Sequence, residues 1–390
     1  LIPNEYISAD AIKDAVARYA AAWERGVVAS RAVDDLLSRR PPRIAGHTGG
    51  PLVPDGSDLR ARVCELVGRL DGTTLCIQGP PGTGKTSTAA AVIADLLRKG
   101  KRVGVTATSH KVILNLLAAV VRERGAAGGP APIYKVGKEE DDPLVQAGAV
   151  TLIESRDVEG IVGAGPVLVG GTAWVFSREE LEGRLDYLFI DEAGQVCLAN
   201  AVAMGLSATN LVLVGDQMQL GQPVQGSHPG ETGLSCLEYL LQGNATVPPE
   251  TGVFLGISYR MHGDVCRFIS EAIYEGRLTS GLKAQRHRVV RGARSSLVPA
   301  ETGVVWVPVP HDGCAQSSDE EVDVISRIVD ELLARTVIDQ EGRSRTMTLQ
   351  DILLVAPFNA QVRSLRRVLG SAARVGSVDL FQGQEAAVVI

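Results

Sequence analysis

The sequence predicts an α/β fold with mostly parallel sheets, in two tandem domains. Three observations carry that reading. Short runs at 167–169, 187–190 and 211–214 are apolar without polar alternation, as expected for strands covered on both faces. Helical periodicity fills the intervals between strand signals. A second series of strand and helix signals begins after Pro248-Pro249.

The elements follow in order. Residues 10–37 read as an N-terminal helical lead-in, with Ile12, Val16, Tyr19, Trp23 and Val27 three or four apart. Pro and Gly concentrate in 41–57, which reads as a linker before a helix carrying Val63, Leu66, Val67 and Leu70. A first strand at 74–77, a Gly/Pro turn at 79–84 and a helix at 86–98 make the first regular unit. A strand at 103–107 and a helix at 111–124 follow. The segment 125–166 reads as an insertion on the solvent face, its acidic run 139–142 merely solvating. The later series places helices at 261–275, 319–335 and 359–369, with strands at 304–309, 351–355 and 386–390. The expected division is 1–57 as lead-in and linker, 58–249 as the first domain and 250–390 as the second.

Composition narrows the classes. The 390 residues are 45% hydrophobic and 22% charged, which excludes a collagen-like, mucin-like or wholly disordered chain. The net charge of −6 means that any nucleic-acid surface must be local. The six cysteines form none of the close pairs of zinc or iron–sulfur sites, so reduced, buried thiols of a cytoplasmic protein are expected. No run of 18 uncharged apolar residues is present, and the start lacks the order of a signal peptide, so no membrane partner is expected.

The chemistry concentrates in Gly79-Pro80-Pro81-Gly82-Thr83-Gly84-Lys85-Thr86, a P-loop pattern between a predicted strand and a predicted helix, with Ser87 following. Its glycines let backbone N–H groups surround phosphate oxygens, Lys85 places an ammonium at the β- and γ-phosphates, and Thr86 offers a hydroxyl to Mg²⁺. A second carboxylate is needed on the far side of the ion. Asp191, at the end of an apolar strand, is the candidate, holding Mg²⁺ through water, and Glu192 is placed to polarise the attacking water. Gln219, in Gly215 to Leu220, is the candidate γ-phosphate sensor.

The motif order resembles that of superfamily 1 helicases, in the 1B group of Upf-like and Dna2-like proteins, with bacterial members fused to RecB-type nucleases. The P-loop is followed by Ala107-Thr108-Ser109-His110 as motif Ia, Asp191 to Gln195 as motif II and Gly215 to Leu220 as motif III. Ser258-Tyr259-Arg260-Met261-His262 resembles motif IV, and Val378 to Glu385 resembles motif V. The resemblance implies a P-loop NTPase of two RecA-like domains, with ATP between them and a single strand of DNA or RNA across both. It makes Arg260 the arginine reaching the γ-phosphate, Tyr259 a stacking partner for adenine, and Glu385 a neighbour of the ribose. Gln382 then couples nucleotide to the nucleic-acid path, and Thr108, Ser109, His110 and Thr172 contact the strand backbone. For His110 a helix cap or a core polar role stays open, and Trp174 reads as packing rather than base stacking. A basic stretch, Lys283, Arg286, Arg288, Arg291 and Arg294, supplies local positive potential or a solvated loop.

Three departures qualify the resemblance. The sequence stops at Ile390 before any motif VI, implying a second domain cut short. No adenine-recognising glutamine motif precedes the P-loop; Gln78 adjoins the strand without fitting that pattern. The insertion lacks the β alternation of the RNA-surveillance members, favouring a DNA-directed enzyme. The resemblance therefore implies an ATP-dependent, 5′-to-3′ helicase or translocase using ATP and Mg²⁺, monomeric, with any nuclease in a fused or associated domain. The alternatives are a P-loop switch module and a hydrolysis-deficient fragment acting through a protein partner.

Overall fold

The structure, a computed structural model, describes residues 8–54, 56–125, 129, 131–221, 228–292, 297–381 and 383–390. The chain divides into two compact units, Leu1–Gly256 with Ile273–Glu275, and Ile257–Ala272 with Gly276–Ile390.

The first unit is built on eight strands: β1 (Thr74–Gln78), β2 (Arg102–Thr106), β3 (Ile133–Val136), β4 (Thr151–Ile153), β5 (Val167–Gly170), β6 (Leu185–Ile190), β7 (Ala208–Gly215) and β8 (Gly252–Phe254). They lie in the order β4-β3-β5-β2-β6-β7-β1-β8, and every pairing is parallel. The lack of polar alternation has a direct cause. Cys76, Leu188, Ile190, Leu211 and Leu213 enter one apolar core, whereas Leu75, Ile77, Phe189, Val212 and Val214 enter another on the opposite face. Successive residues point to opposite faces, and both faces are covered.

The unit's first five helices are α1 (Asp10–Glu24), α2 (Arg31–Leu37), α3 (Leu59–Val67), α4 (Lys85–Arg98) and α5 (His110–Arg124). The expected helix over 10–37 is two. Gly26 takes φ +69° between them, and Ser30 Oγ accepts the Val33 N–H to start α2. Ala15, Ala32, Val33 and Leu36 are fully buried in the first core, so α1 and α2 are part of the unit rather than a lead-in. The Pro/Gly stretch is likewise anchored. Ile44 bridges to Leu70, and the Leu52 N–H donates to Pro249 O at 2.8 Å. The insertion is not a solvent-face excursion, because β3 and β4 extend the main sheet beyond β5. β8 also joins this sheet, beyond the boundary expected at 249.

The second unit has a small parallel sheet of Arg374–Gly376, Ile352–Val355 and Val388–Val389. Helices Asp319–Leu333 and Asn359–Leu369 contribute Val322, Val329, Leu332, Val362 and Leu365 to its core. Residues 304–309, expected as a strand, pair with no neighbour among the described residues, and Trp306 there is exposed. Its alternation of exposed and half-buried positions satisfies the sequence pattern of a strand without a partner to make one.

Candidate functional site

All eight parallel strands of the first unit end on one rim, and the chemistry-bearing loops leave from there. After β1, the Gly79 N–H donates to Gly215 O of β7 at 2.9 Å, tying the P-loop to the end of its neighbour. Thr83 Oγ1 donates to Pro80 O at 2.7 Å, and Lys85 Nζ donates to Gly79 O at 2.7 Å, so the ammonium lies over the loop it serves. Gly82 and Gly84 take φ of +75° and +80°, and a Cβ on Gly79 would sit 2.5 Å from Lys85 Cγ. The backbone N–H groups of this turn and the first turn of α4 form an anion cradle that fits phosphate.

Asp191 ends β6, two strands away from β1 across β7. Its N–H donates to Thr106 O at 2.9 Å, and Oδ1 accepts the Glu192 N–H at 3.0 Å. Burial pushes its carboxyl up to about 7, with the Glu192 charge adding to the rise while the Glu192 N–H and Lys85 oppose it. A buried carboxylate in this position fits a divalent cation, whose charge would restore the ionised form. Glu192 adopts φ +51°, a left-handed conformation that non-glycine residues seldom take, which turns its half-buried side chain away from the strand direction.

Asp216, at the end of β7, gathers the motif III residues. Its carboxylate accepts from Gln219 Nε2 at 2.8 Å, the Tyr274 hydroxyl at 2.7 Å, the Met218 N–H at 3.2 Å and Gln78 Nε2 at 3.3 Å. Gln219 is therefore held by a buried carboxylate. Motifs II and III pack backbone to backbone: a Cβ on Gly194 would meet Asp216 O at 2.6 Å. Gln78 is fully buried, accepting the Val247 N–H at 2.7 Å and donating to Ala245 O at 2.8 Å. Sequence reasoning set it aside; its position immediately before Gly79 was the available signal.

Thr108, Ser109 and His110 leave β2 exposed, and Ser109 Oγ accepts the Val112 N–H to cap α5. Thr172 leaves the adjacent β5, in register through Val105 and Gly170, and makes no side-chain cap bond with the helix Ala173–Phe176. Trp174 is partly exposed, its indole N–H donating to Ser8 O at 2.8 Å. His110 has partners the sequence did not indicate. Its Nδ1 lies 2.9 Å from Lys135 Nζ and 3.0 Å from Glu139 Oε1. Glu139, expected merely to solvate, is held below the usual carboxylate range. Burial raises it, but hydrogen bonds from Lys135 and its own backbone N–H, with the charges of Lys135 and His110, more than offset that.

In the second unit, Tyr259 and Arg260 leave the strand Ile257–Ser258, whose Ser258 Oγ accepts the Arg260 and Met261 N–H groups. Tyr259 is exposed. The structure brings Arg260 and Glu385 together as an ion pair, Nε to Oε2, 2.5 Å. Gln382 lies outside the described residues, as does Arg294. Lys283, Arg286, Arg288 and Arg291 are all exposed. Three cysteines are buried, two are half-buried and Cys314 is exposed, and all six are free thiols. No helix among the described residues is long and apolar enough to cross a membrane.

Two family models, each described as an AAA domain, match residues 61–231 and 233–390. The chain is 26% identical over 337 residues to the DNA replication ATP-dependent helicase/nuclease dna2 of Schizosaccharomyces pombe, covering 80% of this chain and 23% of that one. It is 26% identical over 381 residues to the DNA-binding protein SMUBP-2 of Rattus norvegicus, covering 80% and 37%. The chain thus spans well under half of these relatives. Among solved structures, an Arterivirus nonstructural protein 10 (helicase) in complex with DNA matches with a TM-score of 0.39 at 16% identity, covering 81% of this chain and 60% of that one. The fold assignment rests on strand order and the P-loop rather than on that superposition. With its motifs in order across both AAA-domain matches, the chain is similar to the superfamily 1B helicases, in the Upf-like and Dna2-like group.

Proposed function

We propose that this chain is an ATP-driven motor on single-stranded nucleic acid, DNA rather than RNA, moving 5′ to 3′ with ATP and Mg²⁺. One arrangement carries the reading. On the rim of the first unit's sheet, the P-loop, Asp191-Glu192 and Gln219 leave β1, β6 and β7, while Thr108–His110 and Thr172 leave β2 and β5. Because β2 lies beside β6, the candidate nucleotide loops and nucleic-acid loops are adjacent on one edge. A change at the γ-phosphate therefore has a short path to the strand-binding loops.

In this reading Lys85 neutralises the β- and γ-phosphates, and Thr86 with Asp191 holds the metal, which supplies charge stabilisation at the γ-phosphate when bound. Glu192 positions the attacking water, Gln219 reports the γ-phosphate, and Arg260 completes the charge stabilisation. Tyr259 stacks on adenine, Glu385 lies near the ribose and Gln382 links nucleotide to strand. The exposed Lys283, Arg286, Arg288 and Arg291 supply the local positive potential that the net charge conceals. The protein acts as a cytoplasmic monomer, and nuclease activity, named for the S. pombe relative, belongs to a separate domain.

The deciding experiment measures ATP turnover with and without single-stranded DNA or RNA, in this chain and in one extended past Ile390. Stimulation by DNA above RNA is expected. No stimulation in either chain overturns the motor reading.

A further inference from the structure

The first unit buries a lysine completely. Lys135, on β3, is fully inaccessible to solvent, and its ammonium contacts Glu139 Oε2 at 2.5 Å, His110 Nδ1 at 2.9 Å and Val136 O at 3.3 Å. The turn between Lys135 and Glu139 passes through Gly137, where any Cβ would collide with both the Lys135 ammonium and the Glu139 carboxylate. A buried ammonium is costly unless paired, and an apolar side chain would fill a strand position with less desolvation. The pair opens on one further group, the imidazole of His110, whose side chain is 46% exposed.

The hydrogen-bonding rules then restrict the imidazole. An ammonium only donates, so when Lys135 bonds to Nδ1 that nitrogen is bare and the ring hydrogen sits on Nε2. The other neutral state, with hydrogen on Nδ1, gives Glu139 Oε1 a donor at 3.0 Å but sets that N–H against the Lys135 ammonium 2.9 Å away. The state that Lys135 favours leaves Nε2 a donor, and Nε2 has no protein partner among the described residues.

We propose that Lys135 and Glu139 are positioning residues that fix the His110 imidazole as an Nε2–H donor for a backbone phosphate of the bound strand. The proposal rests on the reading that the loop 108–110 meets nucleic acid. It adds two residues outside the motifs and assigns a hydrogen to a particular nitrogen. Phosphate accepts and never donates, so an Nε2 lone pair there would repel it; the Lys135–Glu139 pair removes that state.

The test uses the whole chain with ¹⁵N-labelled histidine and a fluorescent single-stranded oligothymidylate. Long-range ¹H–¹⁵N correlations in the free protein are expected to show His110 with hydrogen on Nε2, and its signal should move on titration with the oligonucleotide. Lys135→Met should release the ring to the Nδ1–H form facing Glu139 and weaken binding about tenfold, whereas Lys135→Arg, which keeps a donor, should restore both. The Lys135→Met/His110→Ala double variant should bind no worse than His110→Ala alone. An Nδ1–H tautomer in the wild type, or a full Lys135→Met loss in the His110→Ala background, overturns the proposal. A wild type that binds no single strand overturns the functional reading and this proposal together; the tautomer of the free protein separates the two failures.

Discussion

Arg260 Nε lies 2.5 Å from Glu385 Oε2, so two side chains that the family resemblance places separately at the nucleotide hold each other. Arg260 Nε itself is buried, but its side chain as a whole is 36% exposed and the carboxylate 65%, and a pair with so exposed an acid contributes about 0–1 kcal/mol. A phosphate can therefore displace the carboxylate at little cost. Arg260→Ala is expected to lower the ATP turnover rate on the order of 1,000-fold while nucleotide affinity changes little, because an arginine of this kind stabilises charge that develops during transfer. Glu385→Gln should leave the melting temperature nearly unchanged. Equal turnover in wild type and Arg260→Ala would show that another residue holds the role.

Lys85 and Glu192 should fail differently. Lys85→Ala removes the ammonium over the P-loop and is expected to weaken nucleotide binding on the order of 100-fold, read by fluorescent nucleotide titration. Glu192→Gln keeps shape and hydrogen bonding but loses the base, so it should bind nucleotide normally and hydrolyse it about 10²–10⁴-fold more slowly. Unaltered hydrolysis in Glu192→Gln would move the base to another carboxylate.

Asp191 gives the nucleotide-free protein a definite pH dependence. Its folded-state value, pushed up to about 7, lies above that of an unfolded aspartate, so the neutral form contributes stability at low pH. That contribution is lost as pH rises through about 7. Between about pH 5 and pH 8 the wild type should lose about 2–3 kcal/mol relative to Asp191→Asn, measured by urea unfolding without nucleotide or Mg²⁺. Metal binding needs the ionised form, so Mg²⁺–nucleotide affinity should rise with pH over the same window. A constant stability difference between the two proteins at both pH values would contradict the assignment.

Gly194→Ala places a methyl group against the Asp216 carbonyl at 2.6 Å, where the nearest neighbours are backbone atoms that cannot swing aside. A loss of about 1–3 kcal/mol is expected, seen as a lower denaturation midpoint. Because the strain separates motif II from motif III, nucleotide-dependent turnover should fall as well. A substitution that leaves stability untouched would mean that the two loops are not in this close register.

The sheet was legible wherever a strand was long and buried on both faces: β6 and β7 announced themselves by apolar runs, and the helix Asn359–Leu369 by its period. What escaped was short or chemically disguised. β3 and β4 have only four and three residues, too few for a pattern, and β3 carries a buried lysine that reads as surface. Gln78, Asp216 and His110 gain partners far along the chain, Gln78 from Val247, Asp216 from Tyr274 and His110 from Lys135, which no local pattern announces. The segment 304–309 shows the converse, alternation that no neighbouring strand completes. The P-loop and motif II were readable because their chemistry depends on residues adjacent in the chain.

The uniform direction of the eight strands also defines a second rim, where the chain returns to begin each strand. Gly100, at φ +75°, precedes β2 and Gly183, at φ +66°, precedes β6, both in tight reversals at the strand starts. Those two turns are sites for attaching a fluorophore or splicing in an epitope. A label there would stand a full strand length from the P-loop and from the loops after β6 and β7, so it would leave the candidate site untouched.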